Sequence, residues 1–226
     1  MITVAQARPS DRALFIRRTY MHLAGAVAAF IGIEFVLFMT GIAEAATRLI
    51  AGSRFTWLAI IGGFALLGWL SRSLIARAKS GEQQYLGLGL YVLGQAIIFM
   101  PILYIANVMG GNVITTAAIL TLLLFAGLTT IAFTTGTDFS FLRGFLTIGG
   151  FIALGLIICS VIFGFTLGLV FSAAMVVFAS AAILYDTSKI MRYYSTDQHV
   201  AASLELFASV ALLFWYVLRI VMAMRR

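Results

Sequence analysis

Apolar residues run along this chain in seven long stretches, and the short segments between the stretches hold most of the charged residues. Within a stretch such as AAILTLLLFAGL the apolar residues are continuous, whereas the strands of a membrane barrel would alternate them with polar ones. Helices and closed barrels alone satisfy every backbone hydrogen bond in lipid, so the pattern predicts an all-α membrane protein. The seven predicted transmembrane helices lie at 20–41, 55–75, 85–107, 113–134, 142–163, 167–191 and 200–222.

These helices leave little of the chain for anything else. Residues 1–19 are predicted to form a cytoplasmic N-terminal tail, residues 20–222 the seven-helix transmembrane domain and residues 223–226 a short C-terminal tail. The first segment is too polar and basic to begin a cleaved signal peptide. Gly164 and Gly168 have the GxxxG spacing, which predicts a close contact between helix faces.

Composition leads to the same class of protein. Hydrophobic residues make up 62% of the chain and charged residues 10%, against about 45–50% and about 25% in soluble domains. A mean hydropathy of +1.07 leaves too few polar side chains to cover a globule, so we expect the lipid bilayer to surround the protein. The net charge is +7, but the basic residues stand singly between apolar blocks, which excludes a nucleic-acid surface.

Cysteine and histidine are too sparse for a disulfide or for the usual metal sites. Cys159 is the single cysteine and the two histidines, His22 and His199, are far apart in sequence. We therefore predict no metal site and no cofactor.

Basic residues also predict the orientation. With the N-terminus inside, ten of the 15 Lys and Arg residues fall on the cytoplasmic side. Because cytoplasmic loops are enriched in these residues, we expect an N-in and, with seven spans, a C-out arrangement in the cell inner membrane.

Carboxyl groups inside the predicted helices are the first candidates for function, because each costs about 2.5–3.5 kcal/mol at the centre of a membrane helix. Glu34 lies in the first helix, where it is either protonated and hydrogen-bonded or paired with a base. Asp186 and Glu205 lie in the last two helices. Asp138 precedes the fifth helix and is predicted to cap it. Gln95 is expected to line the interior of the third helix or to bond across helices.

Asp186 and Glu205 are predicted to meet. Asp186 lies six residues before the expected end of the sixth helix near Arg192, and Glu205 lies six residues after the expected start of the seventh near His199. At 1.5 Å per residue, each is about 9 Å from its helix end. Two carboxyls close together in low dielectric would share one proton, which predicts a pH-sensitive latch. The alternative is that Asp186 bonds to Lys189 or Arg192.

Four segments carry a resemblance to a known family. They are FIRRTYMHLAG in the first helix, TDFSFLRGFLTIGGF at the start of the fifth, LYDTSKI at the end of the sixth and LELFASVALLFWYVLRI in the seventh. In order, spacing and total length the chain resembles the Bax inhibitor-1 family, also called the transmembrane Bax inhibitor motif family, and in particular its short bacterial members.

The resemblance implies a seven-helix bundle with the last helix at its centre. It also implies a pH-sensitive calcium leak, gated by two aspartates that face each other from the last two helices. Asp186 matches the first of these aspartates, whereas the position of the second is occupied here by Ser209. Glu205, one turn earlier, matches an acidic position of some members and is expected to provide a substitute pair.

Two functions follow as hypotheses. The first is a calcium leak or an exchanger, with Ca²⁺ or H⁺ as the permeant ion and with Asp186, Glu205 and Ser209 as gating residues. The second is a non-conducting protein that modulates membrane proteases or stress responses, which the missing second aspartate favours. Enzymatic activity is not expected, because GxGD, GxSxG, P-loop and HExxH motifs are all absent from the sequence.

Overall fold

The computed structural model describes residues 3–51, 54–77 and 81–225, and most of these residues are helical. The helices are α1 (Pro9–Met39), α2 (Ile42–Ala51), α3 (Arg54–Arg77), α4 (Gly81–Met109), α5 (Val113–Thr135), α6 (Leu142–Phe163), α7 (Gly168–Arg192) and α8 (His199–Met224). A 3₁₀ turn at Phe139–Phe141 precedes α6. The described residues contain no β-strand beyond an isolated bridge, so the all-α prediction is confirmed.

Within the described residues, six helices are long and apolar enough to cross a membrane: α1, α4, α5, α6 with its 3₁₀ turn, α7 and α8. The predicted span 55–75 falls in α3, which has 24 residues but is not among these six. The count of seven spans therefore stays a prediction.

The first helix begins earlier than its apolar stretch indicates. Pro9 occupies the first turn of α1, where its missing amide hydrogen costs nothing, and Asp11 faces the positive end of the helix dipole. Much of the predicted tail 1–19 is thus helical. The division into tail, domain 20–222 and tail 223–226 stays a prediction, and residue 226 lies outside the described residues.

A short helix, α2, occupies the segment that the sequence predicted as a loop. Its ten residues are rich in alanine, and Arg48 forms an ion pair with Glu44 one turn earlier. Ala43 is buried, and α2 packs against α1, α3 and α4. The helix is too short to span a bilayer and connects α1 to α3.

The prediction that Gly164 and Gly168 form a helix-packing face is wrong. Gly164 ends α6 with φ +74°, and Gly168 begins α7 with φ +65°. Both are in the left-handed region that glycine adopts without strain, because the four-residue link reverses the chain there. A close helix contact occurs instead at Gly94 of α4, where the side chain of Leu67 from α3 fills the space that a Cβ would need.

Helix α8 lies at the centre of the bundle, as the resemblance implied. It packs against α1, α3, α4, α5 and α7, and Leu206, Leu213 and Leu218 on it are fully buried. Helix α6 is peripheral. Along its whole described length Ala153 is the one buried residue, and α6 packs mainly on α3, α7 and the 3₁₀ turn, so most of its apolar surface is left exposed.

Ring contacts show that α1, α4 and α8 run in the same direction. His22 and His199 lie 4.9 Å apart at one end of the bundle, and Phe30 packs on Phe207 further along. At the opposite end, Arg225 after α8 lies against Gly111 in the α4–α5 link. The α7–α8 loop (residues 193–198) is at the same end as the histidines. Which end faces the cytoplasm stays a prediction.

Candidate functional site

Two polar contacts join α7 to α8 inside the bundle. The Ser209 hydroxyl donates a hydrogen bond of 2.5 Å to the Asp186 carboxyl. One turn closer to the α7–α8 loop, the Lys189 ammonium donates to both Glu205 oxygens, at 3.0 and 3.1 Å. We call these four residues the α7–α8 clasp. It brings together all three predicted gating residues.

The predicted shared proton between Asp186 and Glu205 is not what the structure shows, because each carboxyl has its own partner. The ends of α7 and α8 are Arg192 and His199, as expected. However, α8 starts about one turn beyond the level at which α7 ends, since Lys189 is level with Glu205. Asp186 and Glu205 are each six residues from the end of their own helix. Because the two ends are offset by one turn, Glu205 lies one turn nearer the α7–α8 loop than Asp186, and the two carboxyls do not meet.

The alternative partners of Asp186 are also wrong. Lys189 is held by Glu205. Arg192 reaches across the bundle to the carbonyl of Gly136, which ends α5. Asp186 is thus bonded to Ser209, the residue that stands at the second aspartate position, so a hydroxyl replaces a carboxyl while the α7–α8 contact remains.

Two further residues border the clasp, and the sequence analysis gave neither a functional role. Tyr194, in the α7–α8 loop, places its hydroxyl against Glu205 and its ring 5.5 Å below the Lys189 ammonium. Arg72 of α3 lies within electrostatic range of Asp186. The sequence signal for Arg72 is an arginine inside the last turns of an apolar helix.

Gln95 is buried on α4, as predicted, but its amide bonds within its own helix. The side-chain nitrogen donates to the Tyr91 hydroxyl at 3.0 Å, and the side-chain oxygen has no hydrogen-bond partner among the described residues. Tyr91 in turn lies within electrostatic range of Arg72 on α3. The expected bond across helices is therefore not made by Gln95.

Glu34 is buried on α1, with 6% of its surface exposed. Neither carboxyl oxygen has a hydrogen-bond partner among the described residues, so the expected bond or basic partner is not seen. An ionised carboxylate without a partner is very costly inside a bilayer, which favours the neutral acid. The Glu34 carboxyl is separate from the α7–α8 clasp.

Asp138 caps a helix, as predicted, but the helix is the 3₁₀ turn ahead of α6. Its carboxylate accepts hydrogen bonds from the Ser140 amide and the Tyr193 hydroxyl, both at 3.0 Å. The Ser140 amide in particular holds the pKa of Asp138 below its ordinary value, and the same contact with Asp138 raises the pKa of Tyr193. Asp138 thus ties the α5–α6 link to the α7–α8 loop.

The described residues bring no three of the His, Cys, Asp and Glu side chains together in a group that would hold a metal ion. Across the clasp, the side chains of Asp186, Ser209 and Glu205 carry oxygen atoms, the ligand type that hard cations prefer. Both Glu205 oxygens are bonded to Lys189 here.

The long apolar helices, with a polar clasp beside the central one, define a multi-pass helical membrane protein whose surface contacts the lipid bilayer. The model of the family described as "Inhibitor of apoptosis-promoting Bax1" matches residues 12–226, nearly the whole chain. The protein belongs to this family, Bax inhibitor-1, as its motifs indicated.

Bacterial proteins are among its relatives. A protein of Pseudomonas aeruginosa named only as uncharacterized is 42% identical over 123 residues, which cover 53% of this chain and 55% of that protein. An uncharacterized protein of Neisseria meningitidis serogroup A is 26% identical over 194 residues, 80% of this chain and 84% of its own. An uncharacterized membrane protein of Vibrio cholerae is 32% identical over 130 residues, 57% and 58% of the two chains. The matched segment thus spans about half of the Pseudomonas relative.

Proposed function

We propose that this protein is a pH-sensitive ion leak or exchanger of the cell inner membrane, with Ca²⁺ as the expected permeant ion. The observation that carries the proposal is the α7–α8 clasp, in which Asp186 bonds to Ser209 and Lys189 to Glu205 across the two helices. Ionisable groups such as Asp186, Lys189 and Glu205 are costly inside a membrane, and there they mark candidate ion pathways.

In the closed state the clasp holds α7 against the central helix. Opening separates the two helices and frees oxygens of Asp186, Ser209 and Glu205, which a hard cation prefers as ligands. Because the contacts lie one turn apart, an ion entering from the loop end meets Glu205 before Asp186. A path of weak sites in sequence allows ions to leave as well as enter.

Protons act on the same oxygens. Protonation of Asp186 removes the negative charge that attracts a cation. Proton binding at Asp186 therefore lowers the affinity for the ion and changes the hydrogen bond to Ser209 between the helices. This is the pH sensitivity that the family resemblance implies, with one carboxyl in place of a shared proton.

The test is calcium flux into proteoliposomes, measured from weakly acidic to weakly alkaline pH for the wild type and for Asp186→Asn. The asparagine still accepts a hydrogen bond from Ser209 but does not titrate, so we expect the pH dependence of flux to flatten. Asp197→Asn, the same change at an exposed loop position, is the control and should match the wild type. Identical pH profiles for Asp186→Asn and the wild type would contradict the proposal, as would no flux in any of the three proteins.

One observation favours the second candidate, a non-conducting protein that modulates membrane proteases or stress responses. Both Glu205 oxygens are occupied by Lys189, and Ser209 is neutral, so Asp186 is the one clasp carboxyl without a basic hydrogen-bond partner. A stable complex with a membrane protease, together with liposomes that conduct no ions, would select this function. Flux without such a complex would reject it.

A further inference from the structure

The segment that precedes α1 is bound to the α7–α8 loop. We call residues 3–8 the strap. The Val4 amide donates a hydrogen bond of 2.8 Å to the Tyr194 carbonyl, and Thr3 forms an antiparallel β-bridge with Ser195. Val4 is fully buried and belongs to the same apolar cluster as Tyr194 and Val200. The strap is therefore attached to the loop by backbone bonding and by the burial of one side chain.

The strap holds Tyr194, and Tyr194 covers the loop end of the clasp. Tyr194 is 9% exposed. Its hydroxyl lies against Glu205 and its ring lies under the Lys189 ammonium. Burial, reinforced by the charge of Glu205, raises the pKa of the Tyr194 phenol, so the hydroxyl stays protonated beside that carboxylate.

The three polar contacts follow one another along α7. Tyr194 lies just past the end of the helix, the Lys189–Glu205 pair lies one turn inside and the Asp186–Ser209 pair lies a further turn in. An ion or a water molecule that approaches the clasp from the loop end consequently meets Tyr194 first. The backbone that carries Tyr194 is bonded to the strap, so the loop cannot move away from the clasp while the strap stays in place.

We propose that Tyr194 is the gate at the loop end of the α7–α8 clasp, and that the strap keeps this gate closed by fixing the Tyr194 backbone. Release of residues 3–8 frees the loop, and Tyr194 then leaves Glu205 and admits water to the clasp. The consequence for ion flow rests on the proposed function, whereas the consequence for water access does not.

Water access is tested by the modification rate of the cysteine introduced by Ser209→Cys, with Cys159→Ala to remove the native thiol. A water-soluble thiol reagent is applied from the side of the α7–α8 loop. Val4→Asp places a charge at the buried anchor of the strap, and Tyr194→Ala removes the gate itself. Ala5→Asp introduces the same charge at the neighbouring exposed position and is the matched control.

We expect Val4→Asp and Tyr194→Ala each to raise the modification rate about tenfold or more, because a closed gate opens only as a minor state. Ala5→Asp should leave the rate unchanged. An unchanged rate in Tyr194→Ala overturns the gate. Equal rates for Val4→Asp and Ala5→Asp overturn the role of the strap.

A reversible cross-link covers the case in which Val4→Asp fails to fold. Residues paired in an antiparallel bridge have Cα atoms about 4.5–5.5 Å apart, within the range of about 4.4–6.8 Å that a disulfide spans. Thr3→Cys with Ser195→Cys, again with Cys159→Ala, should therefore lock the strap under oxidising conditions. We expect calcium flux through the locked protein to fall, and a reductant to restore it.

Flux that is unaffected by the lock overturns the strap as a regulator. Absence of flux in the wild type and in every variant contradicts the proposed function instead. In that case the thiol-modification rates still decide whether Tyr194 and the strap control the access of water to the clasp.

Discussion

Ser209 is the residue at which this chain departs from the acidic pair that its family resemblance implies. A hydroxyl at this position keeps the contact with Asp186, at 2.5 Å, without adding a second negative charge. The second acid is present one turn away as Glu205, where Lys189 neutralises it. The hydrogen bond of Asp186 and the ion pair of Glu205 are thus made with different partners, so each contact between α7 and α8 can be altered separately by mutation.

The charge of Asp138 is a second feature that a single substitution can test. The pKa of Asp138 is lowered in the folded protein, chiefly by the Ser140 amide. The carboxylate therefore stabilises the fold at pH values above its pKa in the unfolded chain. This stabilisation is lost as the pH falls through its pKa in the folded protein. We expect Asp138→Ala to lower the melting temperature at neutral pH. The gap from the wild type should close in acid. Thermal unfolding in detergent at several pH values measures this.

Asp138→Asn is the matched control for that experiment, because an amide oxygen can still accept from Ser140 but carries no charge. It should lose less stability than the alanine variant at neutral pH. A gap between Asp138→Ala and the wild type that is the same at every pH would show that the charge of the cap contributes nothing.

Some residue roles were accessible from the sequence and others were not. Asp186, Glu205 and Ser209 stood out because a polar side chain in an apolar helix is costly, and the structure places them together. Their pairing was not accessible, because it depends on an offset of one turn between α7 and α8. Tyr194 was missed since tyrosines are common at membrane interfaces and the strap that binds it has no sequence signature.

At the scale of elements, hydropathy identified the long helices but not the short one. Seven apolar stretches correspond to α1 and α3–α8, because burial in lipid requires long unbroken runs. Helix α2 has only ten residues, and its signals are alanine content and the Glu44–Arg48 pair. The start of α1 at Pro9 was missed for a related reason, since hydropathy reports the lipid boundary rather than the helix boundary.

Gly94 provides the test of helix packing. A methyl group there would meet the Leu67 side chain from α3, whereas Gly89 on the same helix has open space around it. We expect Gly94→Ala to lower the free energy of unfolding by about 1–3 kcal/mol, the usual cost of overpacking. Gly89→Ala should have no cost or raise stability by up to about 1 kcal/mol through helix propensity. Chemical unfolding in detergent compares the two.

A second substitution checks the cause. Leu67→Ala should recover stability in the Gly94→Ala protein, because it removes the side chain that the new methyl group meets. If Gly94→Ala is as stable as Gly89→Ala, the close approach of α3 and α4 at this position is wrong.

At the scale of the whole molecule, the two ends of the bundle are distinguished by what they contain. One end holds the strap, the α7–α8 loop and the paired histidines, and the other holds the α4–α5 link with Arg225 against it. The excess of Lys and Arg at the first end predicts that it faces the cytoplasm. On the proposed function, the clasp would then open toward the cell interior.

Cysteine labelling tests this orientation. In a Cys159→Ala background, Asn107→Cys lies near the α4–α5 link and Asp197→Cys lies in the α7–α8 loop, both exposed. With a membrane-impermeant maleimide on intact spheroplasts, we expect the first to be labelled and the second to be labelled only after permeabilisation. The reverse pattern would overturn the N-in prediction, and labelling of both from one side would contradict the arrangement of the two ends.

The central position of α8 has a consequence for biosynthesis. A nascent chain leaves the ribosome N-terminus first, so the helix that fills the middle of the bundle is made after every helix that surrounds it. Until α8 is made, the faces of α1, α3, α4, α5 and α7 that pack on it have no protein partner there. We therefore expect a chain halted before α8 to leave these helices without their common contact and to be degraded faster than the full chain.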